Sequence, residues 1–174
     1  SFEGNGLTVG GIYFDVSEPN INEIGLFAKV QNAYIKNMNL SFAKPSGGQY
    51  STTLVKYSGG LAGIITNSAI INVNLNGKDV ALTGQNYVGG LAGLINGDSL
   101  LYGITSNVSV SASSPETGLY YRQKDYTDLG NSAGNYNHYI SSLSYAGGIA
   151  GVIDITKRAN TEYNIAYIDI YGDQ

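Results

Sequence analysis

Residues 57–77 read YSGGLAGIITNSAIINVNLNG, and the opening phrase returns as YVGGLAGLIN at 87–96 and as YAGGIAGVID at 145–154. Placing the second glycine of each phrase in register aligns Gly60, Gly90 and Gly148, with a degenerate copy at Gly25 in EIGLFAKV; the steps are 35, 30 and 58 residues. A second pattern follows at fixed offset. Ile35, Met38 and Leu40 in the first copy answer Ile70, Val73 and Leu75 in the second, with Asn37 and Asn72 between them. Ile104, Val108 and Val110 are the inward candidates of the third copy. Ile165, Ile168 and Ile170 fit the fourth if seven extra residues follow GVID, and Gly172 then answers Gly77.

Self-similarity at about 30 residues marks a stacked architecture whose units cannot bury an apolar face alone. Apolar and polar residues alternate within each unit, as in a strand, and no stretch keeps the three-and-four spacing of a helix beyond two turns. The expected fold is all-β: a parallel β-helix, or β-solenoid, of about four coils. Each coil would hold two or three short strands, with equivalent strands paired in parallel about 4.8 Å apart and a body roughly 20 Å long. Val73 and Leu75 would then lie over Met38 and Leu40, and Asn37 and Asn72 would form a hydrogen-bonded ladder at a corner. In GGLAG, Leu61 turns inward. The small residues at 59, 60, 62 and 63 serve either close backbone approach or positive φ at a bend. A phosphate-cradling glycine loop needs a following helix and a Lys or acidic partner at set spacing, and neither follows.

The 174 residues, 43% apolar, suit a single domain spanning 1–174. Only 13% of residues are charged and the net charge is −4, which disfavours nucleic acid and anionic membrane surfaces as partners. No apolar run reaches the roughly 18 residues that span a bilayer, so no membrane insertion is expected. Cysteine is absent, which excludes disulfides and thiolate metal sites. The opening SFEGNG reads as the middle of a pattern, so the chain is expected to be a piece of a longer polypeptide.

Catalytic chemistry finds little purchase. His138 is the single histidine and HExxH is absent, so no metal or cofactor is expected. NGDS around Asp98 and DYTD at Asp125–Asp128 carry calcium-type oxygens without an EF-hand or nonapeptide pattern, and read as a turn and a solvated loop. His138 lies in NYNHY with no nucleophile elbow. Glycoside hydrolysis needs two carboxylates on one face, whereas only Asp169 falls in a clear strand register, beside Asn74 and Asn39. No catalytic residue is assigned. The segment 111–144 departs from the repeat and concentrates Tyr120, Tyr121, Arg122, Lys124, Tyr126, Tyr136, His138 and Tyr139. Tyrosine offers large contact area with a polar handle, so these eight are the candidate binding residues, suited to a glycan or a protein partner. The alternative is that the tyrosines fold back over apolar surface or a sheet edge.

GGLAG at 59–63 and 89–93 and GGIAG at 147–151, with FEGNG near the start and GLFA at 25–28, resemble the GLUG-motif repeat of large bacterial surface and secreted proteins. These include adhesin-like passengers and the non-catalytic part of IgA1-cleaving metalloproteases. The resemblance implies a right-handed parallel β-helix on the cell surface or outside the cell, a non-enzymatic scaffold that binds a host or bacterial surface protein or glycan. Ala28 departs from the motif, which places glycine there. Two other readings stay open: a filament or surface-layer subunit that self-associates through its open ends, and a carbohydrate-active enzyme on the same scaffold.

Overall fold

The computed structural model describes residues 1–14, 21–44, 55–112 and 145–155, which form thirteen β-strands and no helix. Two short strands come first, β1 (Phe2–Glu3) and β2 (Thr8–Ile12). Three-strand units follow: β3 (Glu23–Ile24), β4 (Phe27–Gln31) and β5 (Tyr34–Phe42), then β6 (Tyr57–Gly59), β7 (Ala62–Thr66) and β8 (Ala69–Gly84). The third unit is β9 (Tyr87–Gly89), β10 (Ala92–Gly97) and β11 (Leu100–Ala112); β12 (Tyr145–Gly147) and β13 (Ala150–Ile155) begin a fourth. Every unit contributes one strand to each sheet it reaches. The first sheet runs β3-β6-β9-β12 and the second β4-β7-β10-β13. In the third, or long-strand, sheet β5, β8 and β11 are neighbours, with β1 and β2 both paired to the outer side of β5. All pairings are parallel.

Register places like over like. Ile35, Ile70 and Leu101 share one row, and Met38, Val73 and Ile104 another. Leu40 pairs with Leu75, and Ser106 takes that position in the third unit. Ile70 and Val73 have no exposed surface, nor do Ile65, Val88 and Ile95 from the other two sheets or Leu91 from the corner between them. Burial of such rows is the main force holding the stack. Val108 and Val110 fall opposite Gly77 and Leu82, inward as the third copy requires, with residues 78–80 dropping out of pairing between them.

The glycine phrase works by closeness, not by conformation. None of Gly59, Gly60, Gly63, Gly89, Gly90 or Gly93 has positive φ. A methyl group on Gly60 would lie 2.6 Å from the Gly90 carbonyl oxygen and 2.7 Å from Leu75 Cδ2. The connection from first to second sheet is therefore a tight corner across which layers touch backbone to backbone. One alignment shifts. Ile24 pairs with Ser58 but Phe27 with Ala62, so the first copy is one residue shorter here and Gly25 stands at the place of Gly59, not Gly60.

The left-handed positions belong to asparagine. Asn37 and Asn72 have φ of 53° and 52°, and Gly103, φ 62°, falls at the same place in β11. Asn72 Nδ2 donates to Asn37 Oδ1 at 3.1 Å, the expected ladder. It lies inside the long strands and not at a corner, because the αL residue bends the strand without ending it. The corner between second and third sheets has its own set, Asn32, Asn67 and Gly97, with φ of 50°, 49° and 64°. Beside it, buried serines tie the layers together: Ser68 Oγ accepts from the Ala33 amide at 3.1 Å, and Ser99 Oγ from the Ser68 amide at 3.2 Å.

Candidate binding groove

The bend at Asn37 and Asn72 shapes the outer surface of the long-strand sheet. An open depression of about 520 Å³ lies there, lined by Glu3, Asn5, Gly6, Asn37, Met38, Asn39, Asn72 and Asn74. Two amide rows run across the strands. In one, Asn37 Nδ2 donates to Glu3 Oε1 at 3.0 Å, and Asn72 donates to Asn37. In the other, Asn39 Nδ2 donates to the Gly6 carbonyl at 2.7 Å, Asn74 Nδ2 to Asn39 Oδ1 at 2.8 Å, and Thr105 Oγ1 to Asn74 Oδ1. Strand alternation turns Met38 and Leu40 inward, so the residues between them face out.

Charge in the groove is internally balanced. Lys36 Nζ lies 3.0 Å from Glu3 Oε2. The Lys36 hydrogen bond, and after it that of Asn37, hold the Glu3 carboxyl below the ordinary carboxylate range; Glu3 in turn raises Lys36. One carboxylate lines the depression, whereas glycoside hydrolysis uses a pair. Among the described residues no group of three or more His, Asp or Glu could hold a metal ion. Asp98 sits in the bend after β10, where its backbone amide donates to Asn67 Oδ1 at 2.8 Å, in keeping with a turn.

The binding residues expected from sequence, Tyr120, Tyr121, Arg122, Lys124, Tyr126, Tyr136, His138 and Tyr139, lie outside the described residues, as do Asp125, Asp128 and Asp169. So do Ile165, Ile168 and Ile170 of the fourth copy. Ser111 and Ala112, the start of the segment read as an insertion, belong to β11 and pair with Thr83 and Gly84. Tyr13 is exposed just after β2, and the other described tyrosines divide in two. Tyr57, Tyr87 and Tyr145 stack in register, with ring centroids 4.9 and 5.5 Å apart and planes within 10°. Each ring covers its neighbour's face, so this column staples the first sheet. Tyr34 and Tyr102, by contrast, stand exposed beside the amide rows. Sequence reading found the Asn37–Asn72 pair but not the groove, since Glu3 and Gly6 reach it only through the pairing of β1 and β2 with β5. No protein-family model, curated protein or solved structure matches this chain.

Proposed function

We propose that this chain is a non-enzymatic scaffold segment of a bacterial extracellular or cell-surface protein. In this reading the three sheets close into a right-handed β-solenoid of about four coils, of the GLUG-repeat kind, which carries the Tyr-rich segment as an adhesion module toward a surface protein or glycan. The observation that carries it is the row-on-row register of three parallel sheets, with tyrosine, asparagine and serine contacts running layer to layer. Such a stack is stiff along its axis, and contact surface can be added to it without disturbing the rows.

The test applies the labelled full chain to bacterial and epithelial cell surfaces. Saturable binding that is lost when Tyr120, Tyr121 and Tyr126 are replaced by Ser, with circular dichroism unchanged, is the expected result. Absence of saturable binding to either surface refutes the reading. Self-association through open ends is the competing reading, and Lys29 argues against it: an exposed, charged side chain on β4, the edge strand of its sheet among the described residues, discourages a further strand. Light scattering that rises with concentration to polymeric mass would reverse that order.

A further inference from the structure

The outer face of the long-strand sheet carries two kinds of row side by side. Tyr34, Ala69 and Leu100 form one row, and Lys36, Ile71 and Tyr102 the next. Tyr34, Leu100 and Tyr102 are 41%, 48% and 66% exposed, far more than a folded core leaves to large side chains. Immediately beyond lie the amide rows Asn37–Asn72 and Asn39–Asn74–Thr105. An aromatic and aliphatic strip thus borders a depression walled by amides.

We propose that this face binds a neutral glycan strand lying along the stacking direction. Three features select that class. First, the charges cancel: Glu3 is paired with Lys36, so neither an anion nor a cation meets an unopposed partner in the groove. Second, an asparagine amide offers two N–H groups and two lone pairs, and the ladder uses one N–H of Asn72 and one of Asn74. Each retains a donor beside its acceptors, the combination that a hydroxyl, itself donor and acceptor, satisfies. Gly103 has no side chain to continue the first row, so the Asn72 carbonyl receives no side-chain donor from β11. Third, Tyr102, 66% exposed and not stacked on another ring, unlike the Tyr57 column, presents an apolar face with a polar tip to the apolar side of a sugar, while Tyr34, also exposed, has Lys36 Nζ 5.7 Å from its ring centroid. The amides recur over two layers, Asn37 over Asn72 and Asn39 over Asn74, about 4.8 Å apart, which suits a ligand with repeated hydroxyls. This site does not involve residues 113–144 and does not depend on the adhesion reading.

Calorimetric titration of the full chain with maltohexaose, cellohexaose and chitohexaose tests the proposal, with a heparin hexasaccharide as the anionic comparison. At least one neutral hexaose is expected to bind and the sulfated one not to. Asn72→Gly, which adopts the left-handed backbone as Gly103 does, and Tyr102→Ser, on an exposed side chain, should each weaken binding by about tenfold. Tyr87→Leu, in the column on the first sheet, should leave it unchanged. If no neutral hexaose binds, if the heparin fragment binds more tightly, or if binding is indifferent to both groove substitutions, the proposal fails. Should Asn72→Gly disturb folding, Tyr102→Ser alone decides. Cell-surface binding lost with the Tyr120, Tyr121 and Tyr126 substitutions is read separately, so either idea can fail without the other.

Discussion

Replacing Gly93 by Ala probes the contact on which the stack depends. The added methyl would lie 2.7 Å from the Tyr87 carbonyl oxygen, 2.8 Å from the Ser58 amide nitrogen and 2.9 Å from the Gly63 carbonyl oxygen. All three are backbone atoms locked by strand pairing, so no rotamer change relieves the clash. Overpacking costs about 1–3 kcal/mol where side chains can yield, and here the top of that range, ~3 kcal/mol, is expected. At roughly 2–4 °C per kcal/mol for a chain of this size, Tm should fall by about 6–12 °C. The comparison is Ala28, which holds the same place in β4. Gly63 abuts the Ile24 amide, Gly93 that of Ser58 and Gly151 that of Val88, each in the first-sheet strand one layer earlier. Strand β4 opens its sheet, no earlier first-sheet strand underlies it among the described residues, and Ala28 is exposed. Ala28→Gly should therefore cost only the chain-entropy difference, about 0.5–1 kcal/mol. Scanning calorimetry of both variants checks the pair. A Gly93→Ala protein melting within about 2 °C of the parent, or two equal losses, would refute the close-approach account and with it the reason for the repeated phrase.

Val73→Asp places a carboxylate between Met38 and Ile104 where no exposed surface remains, and should abolish the β-type circular dichroism signal at 25 °C, since an unpaired buried charge costs several kcal/mol. Two of the buried serines, Ser68 and Ser58, should respond differently in urea titrations: Ser68→Ala leaves the Ala33 amide without its acceptor and should cost about 1–3 kcal/mol. Ser58→Ala removes a buried hydroxyl that has no partner and should be neutral or stabilising. Because the Glu3 pKa is lowered by Lys36, the pair's contribution is present above the ordinary carboxylate pKa and lost as pH falls through the depressed value. It is lost again above pH 10.5 as Lys36, whose pKa is raised, gives up its proton. Carboxyl chemical shifts of Glu3 should titrate below the ordinary 4.5, and Lys36→Met should return them toward it.

Much of this organisation was legible because translation along the stack preserves residue type. Ile35 over Ile70, Leu40 over Leu75 and Asn37 over Asn72 could be written down from spacing alone, since a parallel in-register stack maps a sequence offset directly onto a spatial neighbour. The reading weakened where one physical requirement is met by different residues. Asn72 and Gly103 both satisfy a left-handed backbone, as do Asn67 and Gly97, yet nothing in their side chains marks them as equivalent. The parallel all-β class was thus open to inspection, while the positions of the bends were not. The groove was less legible still. It forms because β1 and β2, outside the repeat, pair with β5 and carry Glu3 and Gly6 alongside Asn37 and Asn39, a contact that no periodicity announces.

The distribution of constant and variable lengths ties these observations together. Two residues join first to second sheet in every unit, Gly25–Leu26, Gly60–Leu61, Gly90–Leu91 and Gly148–Ile149, and two join second to third, as at Asn32–Ala33, Asn67–Ser68 and Asp98–Ser99. The return from the third sheet to the first is different: it takes 43–56 after β5, only Gln85–Asn86 after β8, and 113–144 after β11. Between paired residues the glycine corner holds two residues in one unit and three in the next (Ile24 to Phe27, Ser58 to Ala62), and so does the following corner (Thr66 to Ala69, Asn96 to Leu100). Backbone contact at the first and the αL and serine contacts at the second thus hold variation to a single residue. The third corner carries no comparable constraint, and loop length adds closure entropy only slowly, about 0.6 kcal/mol per doubling. Insertions therefore collect at one edge of the stack, which is where a scaffold can change what it contacts while keeping every row of its core in place.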